Sequence, residues 1–506
     1  MSEDERPSGN SQYIRDRESG CVAGDGSVFC ADKRVSLDHL NQANLRMDRR
    51  KLLKLAGSAV ISLFSGCAQL ETGGNAQNQG GTITVTPPDG LIDDPLEIRL
   101  SDFEPNEEIS VRAHTTDNHG QTWLSFGQFK TDGDGTLSLT QQAPISGTYE
   151  RVDPRGLLWS MQALDGPAIS FTTDELYTVH VSVQRNGTTV ASTRITRRFI
   201  ATDVGEHPVD EDGLVGVFFE PPGSGPHPAI LTLHGTEGQV PWLLGAMLAS
   251  HGYATLALQY FDPIGKTELP TSLVEIPLEY FERAIDWVLD RPSVTGDRVG
   301  VVGPSIGGEL TLLLGATLSR IGVIVGYVPS SLVWEGPGGE RPMWTYNGKD
   351  IPFVPIEVNQ ESVPSLIGAA AAGIRGRPIR VADLFRPSFD DLGAESVKAG
   401  IIPVDEIDGP VLLISGKDDG IWPSTALSEI AIHRLDSHDH PYAYEHLAYE
   451  NAGHIISVPA QPTTDWDTFN VMPGMTLDAG GTASGNAHAA ADSWPRVLEF
   501  LAEGLR

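Results

Sequence analysis

Cysteine is nearly absent from this 506-residue chain, and its three copies, Cys21, Cys30 and Cys67, all lie near the beginning. With none beyond Cys67, the rest of the chain has no disulfide, no thiolate metal site and no cysteine nucleophile. Positive charge is scarce too. Lys and Arg number 35 against 67 Asp and Glu, a formal net charge of -32. Such a surface repels nucleic acid and anionic lipid, so neither is an expected partner. The carboxylates are dispersed rather than gathered into a tail, and Arg greatly outnumbers Lys. That pattern fits high salt, where screening weakens self-repulsion. Hydrophobic residues at 40% and charged residues at 20% exclude global disorder.

The apolar run from Leu55 to Phe64 is too short and too rich in small residues to span a bilayer. It follows the twin-arginine stretch Arg49-Arg50-Lys51 and ends in Phe64-Ser65-Gly66-Cys67, a lipobox-like sequence. Together these predict export of a folded cargo and lipid modification of Cys67, with the membrane touched only through that anchor. The alternative is a cytoplasmic protein. Ala68 to Thr82 has the composition of a flexible tether. Residues 1–46 are polar and resemble no folded unit. Met47, just ahead of the signal, is the expected true start, in which case Cys21 and Cys30 are never made.

Residues 1–82 therefore read as extension, signal and spacer. Residues 83–203 read as a β-sandwich of immunoglobulin-like type. Leu96 to Leu100 and Ile109 to Ala113 alternate apolar and polar residues. Tyr177 to Gln184 and Thr189 to Ile195 flank Asn186-Gly187, a strong hairpin signal. Across Val204 to Gly213 the pattern changes. Residues 213–506 combine apolar strand-like runs, Ile230–Leu233, Ala254–Leu258, Val299–Val302 and Val411–Ile414, with helical segments such as 278–289. This alternation predicts an α/β architecture with a mostly parallel sheet and a ligand site at the carboxyl ends of its strands.

Ser305 in Gly303-Pro304-Ser305-Ile306-Gly307 follows the Val299–Val302 run and precedes an apolar helical stretch, the context of a nucleophile elbow in an α/β-hydrolase fold. A serine nucleophile needs a base and a carboxylate to orient it, and in this fold the chain order is Ser, acid, His. Asp419, three residues past Gly416 at the end of a late strand, is the expected acid; Asp418 is its competitor. His454, after Asn451-Ala452-Gly453, is the expected base. The oxyanion hole is assigned to the backbone N–H groups of Ile306 and of Thr236, in the loop His234-Gly235-Thr236-Glu237-Gly238, with Gly235 as the second choice for the latter. His433, His438, His440 and His446 read as loop histidines rather than metal ligands, and no cofactor is called for. Trp242, Trp344, Trp422 and Trp466 read as core or pocket wall. The segment 344–353 is a candidate lid.

From Ile83 to Arg506 the sequence resembles the acyl-CoA thioesterase and bile acid-CoA:amino acid N-acyltransferase family. The similarity lies in Ile83-Thr84-Val85-Thr86-Pro87, Gly147-Thr148-Tyr149, Gly156-Leu157-Leu158-Trp159 and 276–282, and in the segments around Ser305, Asp419 and His454. The resemblance implies a Ser/Cys-His-Asp triad falling on Ser305, His454 and Asp419, and a small-molecule acyl thioester or ester substrate. It also implies that amine-transferring members use Cys and thioesterases Ser, so Ser305 points to hydrolysis. The competing expectations are an acyltransferase or peptidase-like activity on the same residues, or a non-catalytic surface binding protein. Oligomeric state is not readable from the sequence.

Overall fold

The computed structural model describes residues 81–164, 171–357, 359–360, 362–472 and 475–506. Met47, the twin-arginine stretch and Cys67 lie outside the described residues.

The first region is a two-sheet, mostly antiparallel β-sandwich. One sheet pairs Thr82–Thr86, Glu97–Ser101 and Leu137–Ser138. The other is built around Thr188–Arg198, Leu176–Arg185, Glu108–Thr116 and Thr122–Lys130, in that order. Inward residues alternate along each strand as the pleat requires: Ile98 and Leu100 from one sheet meet Val111, Trp123, Val179 and Val181 from the other. The Asn-Gly hairpin forms as the sequence predicts. Arg185 pairs with Thr188, and Asn186 and Gly187 take φ of 51° and 79°, the two positive angles of a type I′ turn.

The second region is an eight-stranded sheet. Numbered along the chain, its strands are β1 (Gly205–Glu211), β2 (Leu214–Glu220), β3 (His227–Thr232), β4 (Ala254–Gln259), β5 (Val294–Pro304), β6 (Ile321–Tyr327), β7 (Val411–Gly416) and β8 (Tyr444–Tyr449). Their spatial order is 1-2-4-3-5-6-7-8. Only β2 runs against its neighbours. This is an α/β-hydrolase sheet. Helices α1 (Trp242–Ser250), α2 (Glu279–Leu289), α3 (Ile306–Thr317), α4 (Val363–Ile374), α5 (Glu395–Gly400), α6 (Ser424–Ser437) and α7 (Ala483–Gly504) connect or follow these strands. Alternate residues of each central strand face opposite layers. Leu413 packs with Leu310 of α3 and Leu427 of α6, whereas Leu412 and Ile414 pack with Met247 of α1 and Trp494 of α7. That second layer is continuous with the core of the sandwich.

Two expectations are corrected. The sheet begins at Gly205 rather than 213, because β1 is a solvent-facing edge strand whose only buried residue is Val209 and whose acidic, Pro-containing sequence reads as linker. The segment 344–353 is not a free flap but is anchored at its first residues. Trp344 is fully buried against Tyr260 and Phe281, and its strand, Trp344–Tyr346, pairs with Ile276–Pro277.

The sandwich is also tied to the hydrolase region by polar contacts. Asp93 Oδ2 accepts from Trp494 Nε1 at 2.8 Å and from His251 Nε2 at 2.7 Å. Tyr177 Oη donates to Ala460 O at 3.1 Å, and Thr463 N–H donates to Trp159 O at 3.0 Å. Asp93→Ala is expected to cost about 2 kcal/mol, since it strands a buried indole N–H and removes a charge-assisted bond. Denaturant unfolding of the two proteins side by side measures this, and an unchanged midpoint refutes it.

Candidate active site

Ser305 sits between the end of β5 and the start of α3 with φ 57° and ψ -123°, a conformation that costs an ordinary residue about 1–3 kcal/mol. The surroundings impose it. Ser305 N–H donates to Tyr327 O at 2.8 Å. A Cβ on Gly303 would lie 2.6 Å from Gly307 O, and one on Gly307 would lie 2.5 Å from His234 O. Both glycines are therefore required by close backbone approach. The turn lifts the hydroxyl above the carboxyl edge of the sheet.

His454 Nε2 lies 3.0 Å from Ser305 Oγ, and its Nδ1 lies 3.0 and 2.9 Å from the two oxygens of Asp419. Asp419 is buried. Its Oδ1 also accepts from the N–H groups of Ile421 and Trp422 at 2.9 and 3.2 Å, and its Oδ2 from Ser424 Oγ at 2.6 Å. Asp418 points away and pairs with Arg380 at 2.9 Å. Trp422 packs edge-on to the His454 ring with centroids 5.9 Å apart. Ala479 O accepts from both Gly420 N–H at 3.1 Å and His454 N–H at 2.8 Å, so one carbonyl links the acid and base loops.

The loop after β3 reaches the same place: the position of a Cβ on Gly235 is 3.5 Å from Ser305 Cβ. His234 fixes this loop from beneath. Its Nδ1 donates to Gly235 O at 2.8 Å, its Nε2 accepts from Tyr260 N–H at 3.2 Å, and its ring stacks on Tyr260 at 3.8 Å. One nitrogen must donate and the other accept, so the ring is held neutral, and burial lowers its pKa to about 4. Gly235 N–H is taken by Glu237 Oε1 at 3.0 Å. Among the described residues, the N–H groups of Thr236 and Ile306 have no intramolecular acceptor. Of the two candidate donors in this loop, Gly235 N–H is therefore engaged and Thr236 N–H is open.

A cleft of about 370 Å³ adjoins the elbow at Pro304, the residue before the nucleophile, and is walled by Val240, Trp242, Leu243, Ile456 and Val458; Ser305 itself is not in its lining. Glu237 stands at its edge. Behind the serine, on α3, Glu309 is fully buried and accepts from Trp344 Nε1 at 3.1 Å. Burial raises its pKa well above the ordinary value. Sequence reading missed Glu237 and Glu309 as site neighbours. The available signal was that each lies within four residues of an assigned site position.

The other histidines lie apart from this site. His440 Nε2 bonds Gly409 O at 3.2 Å, and His446 Nε2 bonds Ser415 Oγ at 2.7 Å. Among the described residues no three His, Cys, Asp or Glu gather at metal-binding distance.

Gly307→Ala is expected to lose about 2 kcal/mol of stability, because its Cβ has no room against the His234 carbonyl. It also displaces the elbow, so labelling of Ser305 by a fluorophosphonate falls with it; full stability and labelling together would refute the packing argument. For His234 the folded pKa is the depressed one. Its contribution is intact above about pH 6.5 and is lost as pH falls from there toward about 4, because the unfolded chain takes up a proton that the folded chain refuses. The loss amounts to about 3 kcal/mol. Histidine NMR checks it: a His234 ring already protonated at about pH 5.5 in the folded protein contradicts the assignment.

Comparison with known proteins agrees with this architecture. The family model described as acyl-CoA thioester hydrolase/BAAT N-terminal region matches residues 93–211, and that described as BAAT/acyl-CoA thioester hydrolase C terminal matches residues 276–506. The peroxisomal succinyl-coenzyme A thioesterase of Mus musculus is 27% identical over 435 residues, covering 84% of this chain and 97% of that protein. Acyl-coenzyme A thioesterase 6 and acyl-coenzyme A amino acid N-acyltransferase 2 of the same organism are 28% and 27% identical over 440 residues, with the same coverage. Among solved structures, the uncomplexed Pyrococcus horikoshii acylaminoacyl peptidase aligns at a TM-score of 0.35 and 11% identity over 82% of this chain and 60% of that one. That likeness is too low to add to the strand order itself. With both halves matched in order and relatives aligned along nearly their whole length, the chain belongs to the acyl-CoA thioester hydrolase/BAAT family.

Proposed function

We propose that this protein is a serine hydrolase that cleaves acyl thioesters or carboxylic esters through Ser305, His454 and Asp419. The observation that carries the reading is the continuous hydrogen-bond chain from Ser305 Oγ through His454 to a buried Asp419. In the proposed reaction, Ser305 Oγ attacks the substrate carbonyl carbon as its proton passes to His454 Nε2. Asp419 holds the ring by Nδ1 and stabilises the imidazolium. The tetrahedral oxyanion is received by the N–H groups of Ile306 and Thr236. The intermediate collapses, His454 gives its proton to the departing thiolate or alkoxide, and an acyl-Ser305 ester remains. Water, deprotonated by His454, attacks that ester and releases the carboxylic acid and the serine.

Relatives include both thioesterases and amino acid N-acyltransferases. Hydrolysis is favoured here because the nucleophile is an oxygen. A thioacyl enzyme persists long enough for an amine to intercept it, whereas an oxyester beside a His-activated water is hydrolysed. The net charge of -32 opposes a polyanionic leaving group, so the proposal commits to the acyl ester or thioester centre. We further infer export and lipid attachment at Cys67, supported by Arg49-Arg50 and the lipobox-like sequence.

Fluorophosphonate is expected to label the native protein in molar KCl and not Ser305→Ala, and that substitution is expected to lower kcat by at least about 10⁴-fold. A Ser305-independent adduct, or none, overturns the hydrolase reading. Adding an amino acid to the thioester assay is expected to give free acid only; an N-acyl product would shift the assignment to acyl transfer. Mass spectrometry of the mature N-terminus is expected to find a lipid-modified Cys67, and a peptide covering Cys21 contradicts a start at Met47.

A further inference from the structure

Glu237 has no place in the reaction just described, yet its carboxylate is beside the reacting atoms. It lies on the exposed rim of the loop after β3, and its head is turned inward, where Oε1 accepts from Gly235 N–H at 3.0 Å. Oε2 and Ser305 Cβ approach the same point, the Cβ position of Gly235, to 2.7 and 3.5 Å. Protein around the carboxylate raises its pKa, while the Gly235 N–H and the attraction of His454 act the other way. Glu237 is the one charged side chain among the described residues lining the cleft, whose other walls are mostly apolar. Neutral His234 supplies no compensating positive charge.

We propose that Glu237 is the specificity-determining residue of this cleft, excluding acyl groups that carry a carboxylate and admitting neutral, apolar ones. The proposal rests on the serine hydrolase reading above. A second anion entering the cleft meets a fixed carboxylate where partial desolvation keeps the repulsion from being screened as it would be in water. Discrimination of this kind is built from a repulsive element rather than from better contacts to the favoured substrate. A group that only capped the Gly235 N–H would slow all substrates alike. A charge filter acts on one class and not the other.

The test compares p-nitrophenyl hexanoate with p-nitrophenyl hydrogen adipate, six-carbon acyl groups without and with a terminal carboxylate, after subtracting Ser305→Ala background. The ratio of their kcat/KM values in one preparation does not depend on how much of it is folded. The native protein is expected to favour hexanoate at least about tenfold. Glu237→Gln, whose amide oxygen still accepts from Gly235 N–H, is expected to shrink that preference about fivefold or more. Glu237→Lys shrinks it further. A ratio that is the same in the native protein and both variants overturns this proposal and leaves the hydrolase reading standing. Absence of Ser305-dependent turnover of either ester overturns both.

Discussion

The site depends on a backbone that is held where it would not go alone. Ser305 keeps its positive φ because Gly303, Gly307 and the His234 carbonyl are packed too closely for any other path. The same packing brings the loop after β3 against the first turn of α3. The nucleophile and both proposed oxyanion donors are thus fixed by one set of backbone contacts. His234 contributes by holding the loop after β3. Its stacked, neutral ring holds that loop against Tyr260, which gives His234 a positioning role.

Much of this was legible in the sequence. Gly-x-Ser-x-Gly after an apolar strand, an Asp after a late strand and a Gly-His further on are signals carried by neighbouring residues, and the structure brings Ser305, Asp419 and His454 into contact. The choice between Asp418 and Asp419 was decided by a one-residue step that turns one carboxylate into the core and the other toward Arg380. What was not legible was non-local or atypical. β1 is polar because it is an edge strand, so hydropathy hid it. Trp344 reads as core or pocket wall and is core, but the partners that anchor its segment, Tyr260 and Phe281, lie far away in the chain. Glu237 and Glu309 are ordinary glutamates until the fold puts one at the cleft and the other in the interior beside an indole.

The β-sandwich contributes to the site although it supplies none of the three proposed catalytic side chains. The stretch after His454, which gives the cleft Ile456 and Val458, continues to Ala460, Thr463 and Asp465, and each of these is bonded by the sandwich: Ala460 O by Tyr177, Thr463 N–H by Trp159 O, and Asp465 Oδ2 by Phe171 N–H at 2.8 Å. One wall of the cleft is therefore set by a region whose own residues lie outside it.

That arrangement also bears on how the chain comes apart. Apolar contacts run without a break from Ile98 and Trp123 of the sandwich through Met247 and Trp494 to Ile414 of the central sheet. Water has no seam to follow between the two regions, because opening one exposes the face of the other. The stability of each region is accordingly coupled to the other, since a hydrolase lobe cut free of the sandwich would expose the apolar face that Met247 and Trp494 share with it.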